Sequence, residues 1–380
     1  MTTFFNERYG RDPTATYFAP GRVNLLGGPD YNEVFVLPFA LGAGVYVAAS
    51  GRPGRRLAVT SRQAGGEPVL LDIDALEPGS VTGWAAYPAG VAWALREAGY
   101  LAGGADLAID ADLPAGSGLS SSAALECSVA LALTGLYQVT VPRPELAALA
   151  RRAENEFVGA PCGIMDQFVA LLGRAGHALL LDCRTATETA VPLDPAAAGL
   201  ALLIIDTRVR HAIGDGQYGN RRRACEQAAA QLGVPALRDV VDDPGAHGAV
   251  DRLADPDLRS VARHVVAENG RVLRAVELLR AGDQAAFGDV LTESHRSLSC
   301  RFRMSWPQAD VAVEAAIDHG AAGARMTGGG FGGSVVALVP ADRDQAVRAA
   351  VTSRFMRQGW SAPHYLAVAP SAGARRVSPR

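Results

Sequence analysis

The sequence predicts an α+β protein of two domains, 1–195 and 196–380. Three observations carry that reading. β-rich and helical segments interleave through the first half, the signals past Asp206 turn mostly helical, and each half holds a glycine-rich loop beside a strand. At 380 residues, 49% of them hydrophobic, the chain is long enough to build the core that two ordinary domains need.

Taken in order, Val34–Ser50 and Arg56–Ser61 are rich in β-formers and read as strands, whereas Trp84–Gly99 spaces its apolar residues as a helix does. Ala105–Pro114 alternates like a strand. After a glycine-rich turn, SSSAALECSVALALTGLY reads as a long Ala/Leu helix and ELAALARRAENEFVG as an amphipathic one. APCGIMDQF reads as a loop, followed by strands in GHALLLDC and LALLIIDT. In the second half NRRRACEQAAAQLG, SVARHVVAENGRVLRAVELLRAG and DVAVEAAIDHG read as helices, SVVALVP as a strand and AVRAAVTSRFMRQ as a last helix. The polar stretch DVVDDPGAHGAVDRLADPD reads as a surface connection, and no fixed-period repeat occurs.

A net charge of -3 with no run of like charges supplies no electrostatic reason for a nucleic-acid or acidic-membrane partner, so a small-molecule partner is expected. No lysine occurs anywhere, which excludes a Walker-type phosphate loop. Five widely spaced cysteines without a CxxC pair argue against both a disulfide framework and a zinc site. The start MTTFFNERYG lacks a basic-then-apolar signal and no apolar stretch is long enough to span a bilayer, so a cytoplasmic location is expected.

Three motifs carry chemistry. In LPAGSGLSSSAAL, Gly116 and Gly118 open a run of hydroxyls into a helix; glycines let backbone N–H groups approach phosphate oxygens, and the helix N-terminus adds positive potential. Plain helix capping is the other reading of such a turn. GARMTGGGFGGSVVAL places five glycines in six positions around Phe331, which suits a loop pressed against a ligand or another backbone. CGIMDQF sets Asp166 among apolar residues, where a carboxylate is either paired or reactive. His211, His264 and His295 show no metal spacing and read as structural.

Together with PGRVNLLGGPDYN near the start, these motifs resemble the GHMP small-molecule kinases, and within them the galactokinases. That family carries PGRVNLIGEHTDYN, PxGxGLSSSA, CGIMDQF and GARMTGGGFGG, and the same order and spacing recur here from Phe18 through Leu338. DTRVRHAIGDGQYGNRRRACEQA likewise resembles the galactokinase segment with a substrate-contacting tyrosine.

The resemblance implies a two-domain GHMP kinase fold with the active site between the domains. It implies transfer of phosphate from ATP, with Mg2+, to the anomeric hydroxyl of a sugar. Gly116, Ser117, Gly118, Leu119, Ser120 and Ser121, with Gly329 and Gly330, would bind ATP, and Ser122 and Glu154 the magnesium. Asp166 would face the anomeric hydroxyl as base or electrostatic orienter, with Arg22 paired to it and stabilising the transferring phosphoryl group. Gly28, Asp30, Gly163 and Tyr218 would contact the sugar.

Two departures from the family pattern stand out. Where galactokinases read GEHTDYNDG this chain reads GGPDYNEV: Gly28 and Pro29 replace the Glu-His pair that holds the hydroxyl on carbon six, and one residue is missing before Asp30. About two hydrogen-bond partners disappear, each worth about 1 to 3 kcal/mol of discrimination. Where the family reads SHxSLRDDYEVS, this chain reads SHRSLSCRFRMS, with Cys300, Arg301 and Arg303 at acidic positions; arginine forks suit phosphate or carboxylate oxygens, with surface drift the alternative. The expected substrate is a heptose or octose phosphate, phosphorylated again at carbon one as in lincosamide-type natural-product sugar activation. Galactose and L-arabinose are the alternatives, and a non-catalytic sugar sensor is the alternative of another class.

Overall fold

The apolar runs of the chain pair into two sheets, one of eight strands and one of four. The computed structural model describes residues 1–113, 116–210 and 216–377. A short helix α1 (Thr2–Tyr9) leads into β1 (Ala15–Gly27) and β2 (Phe35–Arg52), which pair antiparallel. Every residue of β1 is buried. A strand covered on both faces shows no polar alternation, and with Pro20 and Gly21 in its middle it was absent from the sequence reading.

β3 (Arg56–Ser61) and β4 (Val69–Asp72) precede α2 (Ala86–Glu97) and β5 (Gly104–Ala111). α3 (Ser121–Leu136), α4 (Arg143–Arg152) and a π-helical turn at Ala153–Val158 follow. APCGIMDQF corrects the sequence reading: its last residues open a helix, α5 (Met165–Leu172), hidden behind Pro161 and Gly163. β6 (His177–Asp182) pairs with β2 and with β7 (Thr187–Pro192), giving a first sheet ordered β4, β3, β5, β2, β1 with β6 attached to β2 and β7 to β6.

The second half begins with β8 (Leu200–Asp206) and α6 (Gln217–Leu232). The stretch read as a surface connection also holds the end of α7 (Leu237–Asp242) and a 3₁₀ segment, Pro244–Arg252, and it buries Val240, Val250 and Leu253. α8 (Pro256–Ala281) starts at Asp255, whose carboxylate accepts from Asp257 N at 2.7 Å, and ends at left-handed Gly282. α9 (Gln284–Ser297) and a π-helical turn at Leu298–Phe302 lead to α10 (Pro307–Asp318), β9 (Gly323–Thr327), β10 (Ser334–Pro340) and α11 (Asp344–Arg357).

β11 (His364–Val368) completes a four-stranded antiparallel sheet ordered β11, β8, β10, β9. The last strand, β12 (Arg375–Val377), returns across the expected division to pair with β1 of the first sheet. α8 joins the halves as well. Its Glu268 Oε1 accepts from Gly27 N at 3.1 Å and its Asn269 Oδ1 from Phe35 N at 2.9 Å, at the ends of β1 and β2 that face the site. Among the described residues no helix is long and apolar enough to cross a membrane.

Candidate active site

A cavity of about 390 Å³ opens where β1, the loop before α3, the start of α5 and the glycine-rich loop after β9 converge. Gly21 makes that convergence possible. The β1–β2 register slips between Pro20 and Arg22, and a Cβ on Gly21 would stand 2.6 Å from the Leu119 carbonyl oxygen. The loop therefore lies directly on β1. Arg22 N donates to Leu119 O at 3.1 Å and Arg22 Nη1 to Gly118 O at 2.7 Å.

The rest of the Arg22 fork reaches α5. Nε donates to Asp166 Oδ1 at 2.7 Å and Nη2 to Oδ2 at 2.8 Å, a bidentate pair in which Arg22 is only 5% exposed. Ser120 Oγ also hydrogen-bonds Asp166 Oδ2. Asp166 stands in the first turn of α5, where unpaired N–H groups favour an anion. One guanidinium thus fixes both the serine loop and the carboxylate. Ser120 takes the left-handed conformation (φ 59°) as N-cap of α3, and Ser121 and Ser122 follow on the cavity wall.

The glycines after β9 are explained by backbone approach. A Cβ on Gly328 would lie 2.8 Å from Gly118 O and one on Gly333 3.1 Å from Ser117 O, while Ser334 Oγ donates to Ser117 O at 2.8 Å. The two loops are stacked on each other. Gly116, Gly118, Leu119 and Gly329 line the cavity, whereas Ser117 and Gly330 lie behind it as supports, Gly330 packed on Met304.

On the opposite wall Asp30 Oδ2 accepts from Met165 N at 3.1 Å. Its carboxylate fills the place a Cβ would take on Gly163, so only glycine fits there. Burial, then the charge of Asp166, pushes the Asp30 carboxyl above its ordinary range. Tyr218, the second residue of α6, packs edge-on against Tyr31 at 5.5 Å, and burial followed by Asp30 and Asp166 raises its phenol. Gly28 and Pro29 line the wall beside Asp30 without a polar side chain, and a Cβ on Gly28 would meet nothing nearer than 3.8 Å.

Glu154, from the π-helical turn after α4, also reaches the wall. Its Oε2 accepts from Gln167 Nε2 at 2.7 Å and Cys162 Sγ at 3.2 Å, and it is hydrogen-bonded with Ser122. Burial raises its carboxyl. Among the described residues no group of three His, Cys, Asp or Glu side chains forms a metal cage. One carboxylate and one hydroxyl suit magnesium that takes its other oxygens from phosphates and water.

Arg301 and Arg303 are not brought to the cavity, which corrects the sequence reading. Both are exposed; Arg303 is 65% exposed and pairs with Asp257 of α8 at 3.3 Å. The π-helical turn and left-handed Arg303 (φ 54°) instead aim the apolar residues of that segment inward, so Leu298 and Met304 line the cavity. His264 is buried against Ser297 (2.8 Å) and His295 lies 3.2 Å from Asp310 Oδ1, both away from the cavity lining. His211 lies outside the described residues, as do Pro114 and Ala115 of the serine loop.

Sequence reasoning missed three contributors. Arg325 lines the cavity while bonded to Asn24 O, Gly27 O and Ser294 Oγ and paired with Glu268 at 3.5 Å; an arginine inside an apolar strand was its signal. Gln167 and Glu126 stand behind Glu154, and the one acidic residue of the Ala/Leu helix α3 was theirs.

A serine loop held to an Arg–Asp pair, backed by a glycine-rich loop between two α+β halves, defines a GHMP kinase. The family model described as "GHMP kinases N terminal domain" matches residues 86–174 and "GHMP kinases C terminal" residues 275–358. "Galactokinase galactose-binding signature" matches residues 3–51. The chain is 49% identical over 377 residues to a Streptomyces coelicolor galactokinase, covering 98% of this chain and 97% of that one. It is 42% identical to a Chloroflexus aggregans galactokinase, covering 93% and 92%. The solved Lactococcus lactis galactokinase complexed with galactose superposes with a TM-score of 0.90 at 31% identity, covering 99% and 98%. The chain belongs to the galactokinase family of GHMP kinases, and it is an ATP-dependent sugar kinase.

Proposed function

We propose that the chain transfers the γ-phosphoryl group of ATP to the anomeric hydroxyl of an aldose whose distal end is longer than that of galactose. ATP phosphates lie along the serine loop at the α3 N-terminus, where backbone N–H groups and the helix dipole stand in for the missing lysine. Asp166 receives or orients the proton of the anomeric hydroxyl, and Arg22, already bonded to Gly118 O, offsets charge on the group in flight. Ser122 and Glu154 would hold magnesium together with the nucleotide, and the ion would supply charge neutralisation at the phosphates. Asp30, Gly163 and Tyr218 hold the sugar ring.

The acceptor reading rests on one observation: Gly28 and Pro29 bring no polar side chain of their own to the wall, where a Cβ on Gly28 would meet only Asn24 Nδ2 and Asp30 N, both at 3.8 Å. Two lost partners at about 1 to 3 kcal/mol each weaken galactose by at least ~30-fold. A longer carbon chain would take the place of the side chains that Gly28 and Pro29 lack. A distal phosphate finds no support from Arg301 and Arg303, which face solvent. Galactose is the second reading, favoured by the signature over residues 3–51 and by the names of the relatives. Comparing kcat/KM for galactose with seven- and eight-carbon aldoses, with and without a terminal phosphate, decides between them.

A further inference from the structure

Behind the cavity wall, Glu126 of α3 and Glu154 share one donor. Gln167 Nε2 gives a hydrogen bond to Glu126 Oε2 at 3.1 Å and another to Glu154 Oε2 at 2.7 Å. Glu126 and Gln167 are fully buried and Glu154 is 5% exposed. Burial raises both carboxyls, and the charge of Asp166 adds to the rise in each. Burying two neighbouring carboxyls is costly, and replacing them with apolar side chains would relieve a purely structural core.

The amide has two N–H groups and each meets a carboxylate, so its orientation is set from both sides. Glu154 Oε2 also accepts the Cys162 thiol at 3.2 Å. Two donors hold one oxygen, Oε2, while the side chain is also hydrogen-bonded with Ser122 and lines the cavity.

We propose that Gln167 is the positioning residue for Glu154. Braced by Glu126, its amide holds the Glu154 carboxylate at the cavity wall in the orientation that receives a divalent cation with the nucleotide. This rests on Glu154 being a magnesium ligand, as read above. Removal of such an outer partner weakens metal affinity by roughly 10- to 100-fold.

The test measures Mn2+ binding to the full chain in the presence of AMP-PNP, from the electron paramagnetic resonance signal of free Mn2+, alongside sugar KM. Gln167→Met and Glu154→Gln are each expected to weaken Mn2+ at least ~10-fold, and Glu126→Met about threefold, with sugar KM within about twofold of wild type. If Glu154→Gln leaves Mn2+ binding unchanged, the metal reading fails and the inference with it. If Glu154→Gln weakens Mn2+ and Gln167→Met does not, only the positioning role is overturned. Equal losses in Mn2+ affinity and sugar KM for Gln167→Met would show a support of the fold and overturn the role too. Should Gln167→Met not fold, unchanged Mn2+ affinity in Glu126→Met overturns it.

Discussion

Arg22 grips Asp166 through two parallel hydrogen bonds of 2.7 and 2.8 Å while its third nitrogen holds the carbonyl of Gly118. The residue that fixes the proposed base therefore also fixes the serine loop. Asp166→Asn keeps the shape of that contact and removes the carboxylate, so kcat is expected to fall ~100-fold or more while the KM for ATP changes less than about threefold. Steady-state kinetics with saturating sugar check this, and near-normal turnover would remove Asp166 from the catalytic step.

Gly163 and Asp30 make a second test. Because the Asp30 carboxylate occupies the space of a Gly163 Cβ, Gly163→Ala must displace it from the cavity wall. The expected result is a sugar KM raised at least ~10-fold with the KM for ATP nearly unchanged. Equal rises in both constants would place the damage in the fold.

Arg301→Ala with Arg303→Ala should leave kcat/KM for neutral and phosphorylated sugars within about twofold of wild type, since both side chains are exposed and Arg303 already pairs with Asp257. A selective loss on phosphorylated sugars would bring these arginines back to the substrate.

His264 predicts a pH effect on stability. Burial lowers its pKa from 6.5 to about 4, opposed by Glu268 and reinforced by Arg271, Arg325 and Arg301. The folded pKa is depressed, so the unfolded chain binds more protons between those values. The neutral imidazole contributes on the order of 3 kcal/mol above pH 6.5, lost as pH falls toward 4. Glu268, lowered to about 2, loses its contribution below that window. Asp30, Glu126 and Glu154 are raised and act in the opposite sense, so the comparison isolates the histidine: urea unfolding of His264→Phe should lose less stability than wild type between pH 6.5 and 4.5. Parallel curves would contradict the burial argument.

Much of the site was legible because motif residues such as Arg22, Asp166 and Ser120 keep their order and spacing, and short loops bring them together. What stayed hidden depended on direction. No period in SLSCRFRMS tells which side of a π-helical turn Arg303 and Met304 occupy, and a charge read from composition faced solvent while its apolar neighbours faced the cavity. Gln167 follows Asp166 directly, so that a helix turn aims it into the interior beside Glu126 could not be told from CGIMDQF read as a loop. β1 and α5 were lost for a related reason: their prolines and glycines mark close approaches here, at Gly21 and Gly163, where sequence rules read turns.

The most direct test of the acceptor reading is the ratio of kcat/KM for a seven- or eight-carbon aldose of galactose-like ring configuration to that for galactose, with the phosphorylated position assigned by phosphorus NMR. The absence of polar side chains at Gly28 and Pro29 predicts a ratio of at least ~10 for the longer sugar, and the proposed mechanism predicts phosphate on carbon one. Replacing Gly28 and Pro29 with the three residues Glu-His-Thr should bring that ratio below one. A wild-type enzyme that turns over galactose as well as or better than the longer aldoses would contradict the reading.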